Sequence, residues 1–324
     1  MSRILKRWVK SFLAKLIGRA RGGAGKGVFR LAPGFSRMGM TEYMESFADI
    51  ASRTRPLPHS PAQGERRVWQ LWLQGEDNAP PVVRMCIESV RRHTKPLKHV
   101  LLDERNYGEY VELPEHIVRL HESGEMCHAW FADYLRIALL AKYGGVWVDA
   151  TVLITAPVPD EILRSDFFVF SSPLWSGESF KRLTPKMIGA LRFFSDRPST
   201  TLFGSNWWMC ASSASPTIQT TKALLDEYWS RGDRRRDYMI TYDLISLAIL
   251  ENPDCREEWQ RMPKRVTTET QLLRSMLREK YDAEVMDALL ALSPVHKLVH
   301  NVRFEVSGTF MGHILEEWCG DGEG

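Results

Sequence analysis

The stretch that most restricts this chain is MCHAWFADYLRIALLAKYGGVWVDATVLIT, Met126 to Thr155. A long, mostly apolar helical run ends on Gly144 and Gly145, and an apolar run of strand character, VWV then VLI, follows with no linker. A tight turn at the two glycines brings Asp133 and Arg136, three residues apart on one helix face, near Asp149 in the strand run. An ionised carboxylate inside an apolar run is costly to bury unless a counter-charge, a metal or several donors meet it. The expectation is therefore a polar cluster of two acids and one guanidinium. Such a cluster suits a polyhydroxylated, phosphorylated ligand, because Arg forks onto phosphate oxygens and carboxylates accept sugar hydroxyls. A structural ion pair between Arg136 and either acid accounts for the same spacing, and the glycines are first of all a helix stop.

The flanking sequence sets the architecture. RRVWQLWLQG reads as a first strand ending at Gly75, PPVVRMCIESVRRHT as a helix with Pro at its start and a basic last turn, and HVLLDERN as a second strand. PEHIVRLHESG is a short helix closed by Gly124, GVWVDATVLIT returns as one strand, and DFFVFS follows as another. This alternation predicts an α/β sandwich with a mostly parallel central sheet, in which ligands bind beyond the carboxyl ends of the strands. Beyond Ser195 the pattern turns helical, with TIQTTKALLDEYWS and ITYDLISLAIL the clearest cases.

Charge is distributed unevenly. The net charge is +3, yet residues 1 to 30 hold nine Lys and Arg and no acid, so the remainder is net negative and a general nucleic-acid binder is excluded. Ile4, Leu5, Trp8, Val9, Phe12, Leu13, Leu16 and Ile17 recur at helical spacing between Lys6, Arg7, Lys10 and Lys15, the pattern of a basic amphipathic helix in a membrane interface. At about 1.5 Å per residue it would be roughly 21 Å long, short of a bilayer core of about 30 Å. Residues 1–30 are thus expected to form a membrane-associating helix, through residues 1–20, and a linker. Residues 31–65 are expected to form a Pro-rich spacer, and 66–324 the catalytic or binding body. The five scattered cysteines, with no CxxC pair, read as reduced thiols in a cytosolic setting.

The series FADYLRIALLAKYGGVWVDATVLIT resembles the signature of the capsular polysaccharide synthesis protein family, relatives of glycosyltransferase family thirty-two and the large clostridial glucosylating toxins. The likeness extends through VWQLWLQGEDNAPPVVRMCIESVRRH and LLDERNYGEYVELPEHI, over roughly Val68 to His300. It implies a GT-A-like fold with helical additions in the C-terminal half. It also implies a UDP- or GDP-linked sugar donor, and transfer to a hydroxyl of a saccharide or lipid-linked saccharide with retention of anomeric configuration. On that resemblance Asp133 and Arg136 hold the donor sugar and phosphates, and Asp149 faces the sugar and ribose, these three forming the catalytic set. Trp72 matches the position that packs on the nucleobase, with Gln74, Gly144 and Gly145 counted beside it on the donor side. Lys297, in SPVHKLVH, is a candidate cation for the departing diphosphate. The implied setting is surface-polysaccharide assembly, cytoplasmic and peripheral on the inner face of the cell membrane.

Two positions depart from the family pattern. A serine before the helical acid is Ala132 here, and the second acid of the metal-binding DxD is Thr151. Mn²⁺ or Mg²⁺ would then rest on Asp149 as its one carboxylate ligand, whereas a hard divalent cation wants several oxygens. A non-catalytic sugar- or nucleotide-sugar-binding subunit is the alternative. Asn206 and Trp207 are candidates for the acceptor side and Asp243 for a polar site position, while the histidines show no metal-binding spacing.

Overall fold

The computed structural model describes residues 43–55, 65–171, 204–232, 234, 238, 240–301 and 305–319. A five-stranded sheet in the order β2-β1-β3-β6-β5 forms its centre, built from β1 (Arg67–Leu71), β2 (Lys98–Leu102), β3 (Gly145–Val148), β5 (Phe167–Ser171) and β6 (Gly204–Ala211). Strands β2, β1 and β3 pair in parallel, and only β6 runs against its neighbours β3 and β5. The mostly parallel α/β sheet expected from the alternation is what the chain forms.

Helices cover both faces, which is why β1, β3, β5 and β6 are buried almost throughout. Helix α1 (Ala48–Arg53) leads in, α2 (Pro81–His93) links β1 to β2, and α3 (Glu115–Glu122) and α4 (His128–Tyr143) precede β3. After β6 come α5 (Pro216–Ser230), α6 (Ile240–Glu251), α7 (Pro253–Arg261), α8 (Thr267–Met276), α9 (Ala283–Leu292) and α10 (Phe310–Cys319). Trp69, Trp147, Trp208 and Trp259 are fully buried. At roughly 150–250 Å² each and about 25 cal/mol/Å², each contributes at most about 4–6 kcal/mol of hydrophobic stabilisation.

Two expectations need correction. The run GVWVDATVLIT is two strands: β3 ends at Val148, and β4 (Val152–Ile154) leaves the main sheet to pair antiparallel with β7 (Val295–Lys297). Asp149 therefore stands at the corner between two sheets, where the Val152 amide donates to its carbonyl at 3.0 Å. Both strands are buried on both faces, so hydrophobicity alone shows no break. Residues 43–53, expected in the spacer, belong to the body: Tyr43, Met44, Phe47 and Ala51 are buried, and the Asn252 amide donates to the carbonyls of Ala51 and Thr54 at 2.8 and 2.9 Å. Their apolar spacing, one helical stripe, is the reason. The amphipathic run at Ile4–Ile17 and the Pro-rich residues 56–64 lie outside the described residues. Among those described, no helix is long and apolar enough to cross a membrane.

Candidate active site

Parallel strands β1 and β3 end at the same edge of the sheet, and β6, running the other way, begins there. Three chain segments therefore converge: Leu71 to Gln74 after β1, Asp149 to Thr151 after β3, and Gly204 to Trp207 opening β6. They line one cleft of about 940 Å³, closed on other sides by His128 and Ala132 of α4, Tyr242 of α6, Gln271 and Arg274 of α8, and the segment Lys297 to Asn301. This is the carboxyl-end position at which α/β sheets receive ligands.

Arg136 is the hub. Its side chain is 5% exposed, so its charge must be met inside the protein. It pairs with Asp133 Oδ1 at 3.0 Å and Asp149 Oδ1 at 3.1 Å, donates to the Asn206 carbonyl at 2.7 Å, and lies over the Trp147 ring at 5.1 Å. Helix α4 delivers it because Asp133 and Arg136 share a face, and the turn at Gly144 and Gly145 returns the chain along β3 so that Asp149 arrives opposite. Asp133 also accepts from Asn206 Nδ2 at 3.0 Å. Burial, outweighing the Arg136 charge and reinforced by Asp149, pushes the Asp133 carboxyl up to about 6.

Asp149 is 25% exposed toward the cleft, and both of its oxygens are engaged. Oδ1 accepts from Arg136 and from Trp147 Nε1 at 3.0 Å, and Oδ2 faces Lys297 Nζ at 3.4 Å. Lys297 also donates to Thr151 Oγ1. Strand alternation explains why Lys297 reaches the cleft while His296 points inward, where burial lowers its pKa to about 4. The polar cluster thus sits at the base of the cleft.

Trp72 borders the opposite wall, edge-to-face with His300 at 5.5 Å, and Gln74 lies exposed at the rim. Trp69 is core, donating through Nε1 to the Gly144 carbonyl at 3.0 Å. Gly144 and Gly145 do not line the cleft. Gly144 caps α4 and Gly145 begins β3, about 13 Å from Asp149 at roughly 3.3 Å per strand residue. Their positive φ angles, 66° and 106°, close α4, and a Cβ on Gly145 would strike the Arg67 carbonyl. Their part is to set the turn, not to contact a ligand.

Asn206 and Trp207, the candidates for the acceptor side, line the cleft and are carried on the central strand β6. Asp243 is buried in α6 and does not line it; its neighbour Tyr242 does, one helical step away. Trp147, Tyr242, Gln271, Arg274 and His300 were not picked out from sequence. Tyr238, in a turn before α6, and Tyr242, within it, both line the cleft.

Residues 40–314 match the family described as capsular polysaccharide synthesis protein. The chain belongs to that family. Within the capsular polysaccharide synthesis family match lie all the cleft residues described above. A stretch of 109 residues is 32% identical to the O-glycosyltransferase braB of Annulohypoxylon truncatum, covering 31% of this chain and 26% of that protein. Among solved structures, the apo form of the bifunctional glycosyltransferase WbbM is similar at 10% identity and a TM-score of 0.44, over 83% of this chain and 52% of that one. The chain therefore spans about a quarter of the one relative and about half of the other.

Proposed function

We propose that the protein is a GT-A-like glycosyltransferase that moves a sugar from a UDP- or GDP-linked donor to a hydroxyl of a saccharide or lipid-linked acceptor in surface-polysaccharide assembly. The observation that carries this reading is the meeting of Arg136, Asp149, Lys297 and Trp72 in one cleft at the carboxyl ends of β1 and β3. An aromatic wall for a base, cations for a diphosphate and carboxylates for sugar hydroxyls are the three chemistries such a donor needs. The relative named as an O-glycosyltransferase supports oxygen as the acceptor atom.

Departure of a nucleoside diphosphate builds negative charge, and preorganised cations in a partly dry site stabilise it. Asp133, deep against Arg136, holds the guanidinium in place and offers its second oxygen to the sugar. Inversion requires a free general base opposite the leaving group. Among the described residues the two carboxylates of the cleft are both held by Arg136, which favours retention. Peripheral attachment to the inner face of the cell membrane through residues 1–20 goes with this reading, supported by the basic amphipathic pattern; loss of binding to anionic vesicles on deleting those residues would check it.

The test of the transfer reading is release of UDP or GDP from a panel of nucleotide sugars, with and without saccharide acceptors, by the wild type and Asp149→Asn. Release of one nucleotide, abolished in the variant, is the expected result. Equal release by both proteins would remove Asp149 from the chemistry.

A further inference from the structure

We propose that this transferase works without a divalent cation, and that the Lys297 ammonium occupies the place a metal would take beside the donor diphosphate. The inference rests on the transfer reading above and deepens it at the same site.

Two observations carry it. First, the donor set does not fit Mn²⁺ or Mg²⁺. Such ions take six oxygens in near-octahedral geometry, for Mg²⁺ at about 2.0–2.1 Å, and beside substrate phosphates and waters they need one or two carboxylates with open lone pairs. Asp149 Oδ1 already accepts from Arg136 and Trp147, Oδ2 faces Lys297, and the Thr151 hydroxyl accepts from the same ammonium. Among the described residues no group of three His, Cys, Asp or Glu side chains is placed to hold a metal.

Second, Lys297 is built into this position. Register pairs it with Val152, and the Leu298 amide donates to the Thr151 carbonyl at 2.8 Å, so the backbone on either side of Thr151 fixes β7 against the corner. The side chain is 17% exposed and that exposure faces the cleft. An ammonium has three N–H donors; Thr151 takes one and Asp149 stands as an ion pair at 3.4 Å, which leaves donor capacity for a phosphate oxygen. With Arg136 and Arg274 the lining holds three cations against the two carboxylates Asp133 and Asp149, so it is net positive with no metal added. The threonine in place of the second acid then has a purpose. A carboxylate there would bind the ammonium as a closed salt bridge and cancel its charge, whereas a hydroxyl orients it and leaves the charge for the ligand.

In the step proposed, the bond from the sugar's anomeric carbon to the β-phosphate oxygen breaks and its electron pair passes to the diphosphate, whose new charge Lys297 and Arg136 meet. The acceptor oxygen forms the new bond to the anomeric carbon, and its proton leaves on the departing diphosphate.

The experiment uses the full chain stripped of metal. Binding of UDP- and GDP-sugars is measured by calorimetry and their turnover by nucleotide release, each in EDTA and in Mn²⁺, while the free Mn²⁺ resonance signal reports metal uptake. Expected are affinities and rates within about twofold in the two conditions, and no Mn²⁺ uptake. Lys297→Ala, folded as judged by circular dichroism, should lose roughly 10²- to 10³-fold in kcat with no rescue by Mn²⁺, the size typical of deleting one transition-state donor; Lys297→Arg should keep part of it. Turnover that appears only with Mn²⁺ or Mg²⁺ overturns the inference and leaves the transfer reading standing. Failure of every nucleotide sugar to bind in both conditions overturns both.

Discussion

Replacing Arg136 with Met keeps much of the apolar stem but removes the charge that Asp133 and Asp149 share. The guanidinium is nearly inaccessible, and its loss strands the buried Asp133 carboxylate with only the neutral donors Asn206 and Thr241 in place of the charge among the contacts described. Breaking a buried ion pair by deleting one member costs about 3–5 kcal/mol, most of it the penalty of the uncompensated charge. At roughly 2–4 °C per kcal/mol for a body of this size, the Tm should fall by about 6–20 °C at pH 8. The loss should shrink at pH 5, because Asp133, with a pKa already raised to about 6 by burial, is then protonated and no longer a stranded charge. Adding Asp133→Asn to Arg136→Met should restore at least half of the loss at pH 8, a coupling within reach of a double-mutant cycle. Thermal unfolding followed by circular dichroism reads all four proteins. A Tm for Arg136→Met within 2 °C of wild type, or a double variant no more stable than the single, would refute the argument that charge compensation holds this cluster together.

Trp72→Ala should weaken nucleotide binding about 5- to 150-fold, the equivalent of about 1–3 kcal/mol for lost base stacking, measured by calorimetry; unchanged affinity would remove the base from that wall. Affinity for a nucleotide sugar, whose diester phosphates keep fixed charge, should rise roughly tenfold as pH falls from 7.5 to 5, because protonating Asp133 near its pKa of about 6 frees Arg136 to act on the diphosphate. Asp133→Asn should flatten that profile, and an affinity that falls with pH would contradict it. Glu258 of α7 is buried against the start of α5, accepting from Ser215 Oγ at 2.9 Å and the Thr217 amide at 3.0 Å, and burial raises its pKa to about 7. A folded pKa above the unfolded value means stability falls as pH rises from about 4.5 to 7, by up to about 3 kcal/mol. Glu258→Gln should therefore be the more stable protein at pH 8 and lose that slope; a parallel slope in both would assign the pH dependence elsewhere.

The sequence made the sheet, α2, α4 and the Arg136 cluster readable because each has a strong local signal: a proline at a helix start, two glycines at a helix stop, two charged residues at helical spacing in an apolar run. What it hid lay in non-local pairing. Nothing within VWVDATVLI announces that the chain changes sheets at Asp149, since both strands are buried on both faces and the corner holds neither Gly nor Pro. GSNWWMCA has strand length and a glycine at its start, but no β-branched residue, and its place between β3 and β5 is decided by partners far away in sequence. The pairing of β7 with β4, which brings Lys297 to Asp149, joins residues about 145 apart and could be named only as a candidate. Gly144 and Gly145 show the opposite case: their motif was correctly singled out, while their service to the site is the turn they permit, at the far end of β3.

The central claim, that this cleft holds a nucleotide sugar, is tested most directly by a crystal structure of the protein soaked with the nucleotide sugar it binds, in EDTA. The account predicts the base against Trp72, the diphosphate within hydrogen-bonding distance of Lys297 and Arg136, and the sugar beside Asp133 and Asp149. A donor bound elsewhere, or one whose diphosphate contacts neither cation, would contradict it.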